Sequence, residues 1–264
     1  MKNELRFAAY AIHKNIKGSA ELRTSFITNI FGMMINNVSF VIIWVFFVRS
    51  VGIVNGWTAA DIIALQGFTS IGFSGVFTLG AGITQMAEYI ESGSFDSFMI
   101  SPKNLLMRIA TSAFSTPSLG DFFFGVICLV LYAFFTSATF FQIVLLFFFS
   151  LTGCILFTAV LIIAQSIAFF FPHSASTSRS IFELFLTPSL FHGGAFQGAL
   201  RFFFTFIIPS LAVSTLPVEA IREMSLHKIG LVTLITISFF ALGLCIFHTA
   251  VKRYESSNFM TFGR

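Results

Sequence analysis

Long apolar stretches separated by short polar breaks dominate the sequence. Six of these stretches hold about 20 mostly apolar residues, the length at which a helix spans the hydrocarbon core of a bilayer. They lie near residues 26–51, 59–83, 107–135, 140–171, 177–197 and 228–251. Because hydrocarbon offers no hydrogen-bond partners, such a segment must satisfy its backbone internally, as a helix does. The pattern predicts an all-α integral membrane protein in which residues 26–251 form a single domain of six transmembrane helices.

A further apolar run, residues 199–216, is shorter, is interrupted at Pro209 and is followed directly by Pro217. Proline inside a helix costs about 3 kcal/mol unless a neighbouring group compensates. We therefore expect residues 195–217 to form an extracellular re-entrant hairpin and not a seventh span.

The amino terminus combines apolar and basic positions at helical spacing. Leu5, Ile12 and Ile16 recur on one side, whereas basic residues such as Lys14 fall elsewhere around the helix. This predicts a cytoplasmic amphipathic helix over residues 1–25 that lies along the inner leaflet. The alternative is a basic tail that only orients the first span. The pattern is not that of a secretory signal, which needs a small-residue cleavage site soon after its apolar core.

Composition and charge agree with this topology. Hydrophobic residues make up 56% of the chain, charged residues make up 10%, and the mean hydropathy is +0.90. Lys and Arg in short loops favour the cytoplasmic side. With six spans and a cytoplasmic start, eleven of the fifteen Lys and Arg residues lie inside, and Arg49, Arg201, Arg222 and Lys228 lie outside. Both termini are then predicted to be cytoplasmic, with residues 252–264 as a tail, and the excess positive charge requires no nucleic acid.

The polar break at residues 85–102 concentrates charge between two spans. Glu88, Glu91 and Asp96 alternate there with aromatic residues. Apolar anchors supply most binding energy at a protein interface, and charges at its rim mainly fix specificity. We expect residues 86–102 to form a short amphipathic helix that contacts another protein. The alternative is an ordinary solvated loop.

Charged residues inside the spans are candidates for a substrate path, since an ionisable group in hydrocarbon usually faces protein or water. Asp121 lies midway along the predicted third span. There are three interpretations: it lines a substrate path, it caps a helix break near Pro117, or it lies nearer the membrane–water interface. Arg179 and Glu183 open the fifth span four residues apart, which favours an internal ion pair over a substrate contact. The three cysteines have no metal-ligand or disulfide spacing, so we predict no metal site.

Four motifs resemble the type 2 ATP-binding cassette (ABC) permeases, in particular a six-span exporter subgroup. The first is Ile-Glu-Ser-Gly-Ser-Phe-Asp-Ser-Phe-Met-Ile-Ser-Pro at residues 90–102. The others are Phe-His-Gly-Gly-Ala-Phe-Gln-Gly at 191–198 followed by Arg201, Phe-Ile-Ile-Pro at 206–209 with Leu216 and Pro217, and Arg-Tyr-Glu-Ser-Ser-Asn at 253–258. Their order and spacing along the spans carry the resemblance, which covers nearly the whole chain.

The resemblance implies a transport subunit with no catalytic site, which binds no cofactor itself. A separate cytoplasmic ATPase would bind ATP and Mg²⁺, and a second permease copy or a paralogue would complete the pathway for a hydrophobic or amphiphilic substrate in a bacterial cytoplasmic membrane. Residues 86–102 would be the coupling helix, and the hairpin would be an extracellular gate. The implied ATPase contacts are Glu88, Tyr89, Glu91, Gly93, Phe95, Asp96, Phe98 and Pro102, and the implied gate residues are Phe196, Gly198, Arg201, Pro209 and Pro217.

Two other classes of function fit the composition. An ion-gradient-driven secondary carrier would be expected to show an internal repeat with paired broken helices and several midplane carboxylates. Asp121 is the one plausible midplane carboxylate in the sequence. A membrane scaffold protein would show no flux that depends on an ATPase.

Overall fold

The computed structural model describes residues 2–51, 56–171 and 173–254, with side chains other than those of residues 2, 3, 5 and 47–51. This part of the chain is helical and contains no β-strand. Residues 255–264 of the predicted tail, most of the motif at 253–258, and the side chains of Leu5 and Arg49 lie outside the described residues. The α-helices are α1 Lys2–Glu21, α2 Arg23–Val51, α3 Ala59–Leu79, α4 Met86–Glu91, α5 Asp96–Met99, α6 Leu105–Ala110, α7 Pro117–Phe135, α8 Phe140–Ser166, α9 Ala175–Ser189, α10 Gly198–Phe202, α11 Thr215–Glu223 and α12 Leu226–Val251.

Five helices in the described part of the chain are long and apolar enough to cross a membrane. They are Arg23–Phe46, Ala59–Leu79, Pro117–Phe135, Phe140–Phe169 and Leu226–Val251. The protein is therefore a multi-pass, all-helical membrane protein. The predicted span at 177–197 is not a helix of that length, because α9 has 15 residues and rises only about 22 Å against a hydrocarbon core of about 30 Å. Six full-length spanning helices are thus not confirmed.

The chain nevertheless connects the two ends of the bundle through α9. At one end, the Ala175 backbone N–H donates to Glu91 at 2.7 Å. At the other end, residues 193–195 form a short 3-10 helix, and Gly193 lies so close to Trp57 and Thr215 that it has no room for a side chain. The end that carries residues 86–102, the coupling segment, is called the coupling end. The end that carries Trp57 and residues 195–217, the hairpin, is called the hairpin end.

Helix α3 forms the centre of the bundle, where glycines allow neighbouring backbones to approach. In the apolar 18-residue stretch of α3, 61% of the residues are buried, whereas no residue in the corresponding stretch of α2 is buried. A Cβ on Gly125 of α7 would lie 3.0 Å from the Gly67 carbonyl oxygen, and one on Gly72 would meet the ring of Phe157. Lipid gives no hydrophobic drive for helices to associate, so close packing of this kind holds them together.

Two predicted helix boundaries shift for identifiable reasons. The predicted third span, 107–135, divides into α6 and α7 because Pro117 cannot continue a helix but fits the first turn of one. The predicted second span ends at Leu79 instead of residue 83, and Gly80 caps it by donating its N–H to the Val76 carbonyl at 2.7 Å.

The hairpin consists of a short apolar helix, a reversal and a buried return. Residues Gly198–Ile207 are helical and apolar, which corresponds to about 15 Å, or half of the hydrocarbon core. The helix ends at Ile208, which is extended, and the chain reverses at Pro209. Every residue from 209 to 221 is buried, so the return, including α11, packs inside the bundle.

Candidate functional site

The coupling segment is not one continuous helix. Helices α4 and α5 are joined by a turn in which Gly93 has a φ of +73°, a left-handed conformation that side chains disfavour. The Phe95 N–H donates to the Tyr89 carbonyl at 3.0 Å and closes this turn. The predicted helix over 86–102 is therefore corrected to two short helices around a glycine turn.

The exposed surface of the coupling segment differs from the predicted one. Phe95 has no exposed surface, because its ring packs against Phe169 with 5.2 Å between the ring centroids. It is therefore an internal anchor in this structure, and its contact with a partner ATPase stays a prediction. Met99 is 48% exposed and Ile100 is 85% exposed, so these two side chains form the apolar tip of the segment. Pro102 and the carboxylates of Glu88 and Glu91 are exposed as well.

The carboxylates of α4 hold α9 in place. Glu88 Oε1 lies 3.1 Å from Arg179 Nη2, and Glu91 accepts the Ala175 N–H at the start of α9. A carboxylate at a helix N-terminus satisfies a free N–H group and interacts favourably with the helix dipole. The predicted ion pair between Arg179 and Glu183 is not formed, since Arg179 turns toward the coupling segment. Sequence spacing indicates neighbours on one helix and does not reveal a competing partner on another.

Other parts of the chain also fix the coupling segment. The Ala87 N–H donates to Gln165 Oε1 of α8 at 3.0 Å. The Arg108 guanidinium of α6 donates to the Phe98 carbonyl at 2.5 Å. The guanidinium carbon lies 5.7 Å from the centroid of the Phe98 ring. The Tyr254 hydroxyl donates to Asp96 Oδ1 at 2.9 Å. The segment is thus held by helices that are distant in sequence.

A cavity of about 470 Å³ lies beside the coupling segment, between α3, α8 and α9. Its wall is aromatic, with the stacked rings of Phe73 and Phe77 4.0 Å apart at their centroids and Phe182 5.9 Å from Phe77. Its polar lining residues are Thr84, Gln85, Glu88, Gln165, Arg179 and Glu183. Of the three predicted path residues, the structure brings together Arg179 and Glu183 here.

Asp121 lies elsewhere, at the interface between α7 and α2. Its side chain is buried, and Oδ1 accepts a 2.6 Å hydrogen bond from Asn37 Nδ2. Oδ2 is buried without a hydrogen-bond partner. The expected cap of a helix break is not formed, because Asp121 lies inside α7. Sequence reasoning missed Asn37, since the pairing depends on how α2 and α7 are rotated against each other.

An ion-pair network occupies the hairpin end. Glu219 of α11 is the centre of this network, with Oε2 2.7 Å from Arg201 Nη2 and 2.8 Å from Lys228 Nζ. Lys228 also contacts Glu223 at 2.8 Å. Burial raises the pKa of Glu219, but hydrogen bonds and charge attraction from Arg201 and Lys228 outweigh burial and leave the pKa below its ordinary value. The network ties the hairpin, α11 and α12 together.

A second arginine links this network to α3. Arg222 donates to the Gly56 carbonyl at 2.7 Å and contacts Asp61 at 3.4 Å. Asp61 also forms a capping box with Thr58 at the start of α3. A polar cavity of about 350 Å³ opens among these groups. Only Arg201 of this network was predicted as a site residue, because no local sequence pattern indicates that it meets Glu219 and Lys228.

The remaining gate residues shape the hairpin. The half-buried ring of Phe196 packs edge-on against Phe204 with 5.1 Å between the centroids. Gly198 has a φ of +55° and begins α10. Pro209 marks the reversal, and Pro217 is buried in the first turn of α11.

His192 lies directly before the hairpin, within the 191–198 motif. Its ring is buried between the indoles of Trp44 and Trp57, with centroids 6.2 and 6.1 Å away. Within residues 2–51, 56–171 and 173–254, no three His, Cys, Asp or Glu side chains are grouped so that they could hold a metal ion.

Comparison with known protein families identifies the class of this membrane protein. Residues 32–258, well over half of the chain, match the family described as ABC-2 family transporter protein. The chain belongs to this family and is an ABC-2 type permease. Members are membrane transport subunits that work with an ATP-binding cassette subunit and generally lack a catalytic site. No curated protein and no solved structure matches the chain.

Proposed function

We propose that the chain is the permease subunit of an ABC exporter that moves a hydrophobic or amphiphilic substrate across a bacterial cytoplasmic membrane. The coupling end faces the cytoplasm, both termini lie there, and α9 with the residues that follow it makes the sixth crossing. A separate ATPase binds ATP and Mg²⁺ and docks on the coupling segment. The hairpin closes the exit at the outer face.

The observation that carries this proposal is the shape of the coupling segment. Ile100, a large apolar side chain that is 85% exposed, lies next to Met99 in a segment that four other regions of the chain hold by hydrogen bonds. The exposed carboxylates of Glu88 and Glu91 lie on α4 of the same segment. Rigid apolar anchors with a charged rim are typical of a docking surface, and an anchor that is already ordered loses little entropy on binding.

The aromatic cavity supports an amphiphilic substrate. Its volume of about 470 Å³ lies within the range of small-molecule sites, which is roughly 300–1,000 Å³. The rings of Phe73, Phe77 and Phe182 would contact an apolar portion, while Glu183 and Gln85 at the same cavity would face a polar group. In this proposal, substrate enters from the coupling end between α3 and α9.

In the described residues, hydrogen bonds join α3 to the end of α9 between this cavity and the hairpin end. One turn above Phe73, the Thr69 hydroxyl donates to the Ser189 carbonyl at 3.0 Å, and the Gln66 amide donates to the Leu190 carbonyl at 2.9 Å. These bonds close the seam between α3 and the end of α9. We therefore propose that a second permease, identical or related, forms the pathway along a shared interface and that the seam opens when the ATPase subunits close.

The test is co-purification of the full chain in nanodiscs with candidate ATP-binding subunits, combined with measurement of ATPase activity. Ile100→Lys introduces a charge at the docking tip. Leu226→Lys is the matched control, because Leu226 is 78% exposed at the opposite end of the bundle. We expect Ile100→Lys to reduce ATPase capture at least tenfold, whereas Leu226→Lys retains it.

Each result has a defined meaning. If the folded wild-type chain captures no ATPase, the proposed exporter function is wrong, and a secondary carrier or a scaffold becomes the better hypothesis. If wild type and Ile100→Lys capture the ATPase equally, docking occurs elsewhere on the chain.

A further inference from the structure

Tyr254, three residues beyond the end of α12, contacts the coupling segment directly. Its hydroxyl donates to Asp96 Oδ1 at 2.9 Å. Its ring centroid lies 4.9 Å from that of Phe95 and 6.0 Å from that of Phe169, which follows α8. Burial and the hydrogen bond to Asp96 raise the pKa of the Tyr254 phenol, so the hydroxyl keeps its proton and remains a donor. Three chain segments therefore meet around this one side chain.

The coupling segment needs such contacts to keep its shape. Its helices α4 and α5 contain six and four residues, far below the length of about 12–15 residues at which an isolated helix becomes even marginally stable in water. The backbone hydrogen bonds of residues 95–98 reach back only three to six residues, so they do not orient the segment against the bundle. Orientation must come from side chains on other helices.

The position of Tyr254 is itself well defined. Helix α12 runs without a break to Val251 and is continued by turn hydrogen bonds from the N–H groups of Arg253 and Tyr254. The Arg253 guanidinium carbon lies 5.7 Å from the centroid of the Phe170 ring. Contacts on both sides of residues 253–254 thus fix the end of α12 against the end of α8.

We propose that Tyr254 is a positioning residue for the coupling segment, so that the end of α12 sets the angle at which this segment meets its partner. The hydroxyl fixes Asp96 and the ring supports buried Phe95, which together orient the apolar tip about one turn away. This inference rests on the proposed docking of an ATPase at the coupling segment. It gives the Arg-Tyr pair at 253–254 a function that the family match does not assign.

The first test measures the order of the coupling segment without any partner. Hydrogen–deuterium exchange of residues 92–100 is compared in nanodiscs for wild type, Tyr254→Phe and Tyr254→Ala. Tyr254→Phe keeps the ring and removes only the hydroxyl, whereas Tyr254→Ala removes both. Tyr10→Phe is the matched control, because Tyr10 is 61% exposed on α1. We expect exchange about threefold to tenfold faster in Tyr254→Phe, faster again in Tyr254→Ala, and unchanged in Tyr10→Phe.

The second test separates positioning from a loss of folded protein. ATPase activity is titrated with increasing amounts of the folded permease. A looser coupling segment raises the concentration of folded permease that gives half-maximal stimulation, by about three- to tenfold in Tyr254→Phe. A smaller folded fraction reduces the yield of folded permease but leaves this concentration unchanged. Unchanged exchange and unchanged half-saturation in Tyr254→Phe would overturn the proposal. If wild type stimulates no ATPase while the exchange difference is present, the proposed function fails and the structural role of Tyr254 stands.

Discussion

Substitution of Glu219 tests whether the hairpin-end network stabilises the protein. Glu219→Gln keeps the shape of the side chain and an oxygen that accepts hydrogen bonds, but it removes the negative charge between Arg201 and Lys228. Arg201 then loses its carboxylate partner, and Lys228 keeps only Glu223, at the junction of the hairpin, α11 and α12. We expect the variant to fold with a lower free energy of unfolding.

The size of this effect follows from burial. Removing one partner of a buried ion pair costs about 3–5 kcal/mol. The Glu219 side chain is only 6% exposed, but Arg201 and Lys228 are 36% and 23% exposed, so water solvates part of their charge. With the remaining amide oxygen still accepting a hydrogen bond, we expect a loss of about 2 kcal/mol. Glu223→Gln is the control, because this carboxylate is 45% exposed and its pair should contribute at most about 1 kcal/mol.

Equilibrium unfolding in mixed micelles at pH 7 provides the measurement. Trp57 is 2% exposed, and the guanidinium carbon of Arg222 lies 5.9 Å from its ring centroid, so indole fluorescence reports on this end of the bundle. Circular dichroism gives the helix content in the same titration. Equal free energies of unfolding for Glu219→Gln and Glu223→Gln would refute the reasoning, because burial would then make no difference to the ion pairs.

Three further outcomes are expected. First, the wild-type chain should lose stability as the pH falls below 4.5, the ordinary pKa of glutamate, and through the lower pKa of Glu219 in the folded state. The reason is that the unfolded state binds the proton at a higher pH than the folded state does. Unfolding titrations at a series of pH values should show a weaker pH dependence of stability in Glu219→Gln. Second, Gly82→Ala should lower stability by at least about 2 kcal/mol, because its Cβ would collide with a neighbouring backbone carbonyl, whereas Gly230→Ala meets open space and should be tolerated; membrane accumulation and thermal unfolding distinguish them. Third, Asn37→Leu leaves Asp121 buried without a partner and should cost about 1.5–3 kcal/mol, while adding Asp121→Leu should recover most of that loss in the same assay.

The sequence predicts the spans because lipid imposes one simple requirement, an apolar helix of sufficient length. Prediction from the sequence fails where the contacts of a side chain are made with residues elsewhere in the chain. Arg179 pairs with Glu88 on the coupling segment instead of Glu183 on its own helix, since the rotation of α9 decides which carboxylate is nearer. Phe95 is buried although its neighbours are polar, because the glycine turn directs its ring inward against Phe169.

The same distinction explains which candidate site residues could be predicted from the sequence. Residues of the coupling segment are contiguous in sequence, so a pattern of charges and aromatic residues reveals them. In the Glu219 network, Arg201 of α10 and Lys228 of α12 both contact Glu219 of α11. No local sequence pattern indicates that these three side chains meet. Its discovery requires the tertiary structure, in which the return of the hairpin carries a carboxylate into the bundle.

The close approach of α3 and α7 has a consequence for sequence divergence. At lipid-facing positions such as Phe134, which is 76% exposed, any large apolar side chain satisfies the bilayer. At Gly67 and Gly125 a single added methyl group would press on the neighbouring helix. Most of the chain can therefore drift while a few small residues stay constrained.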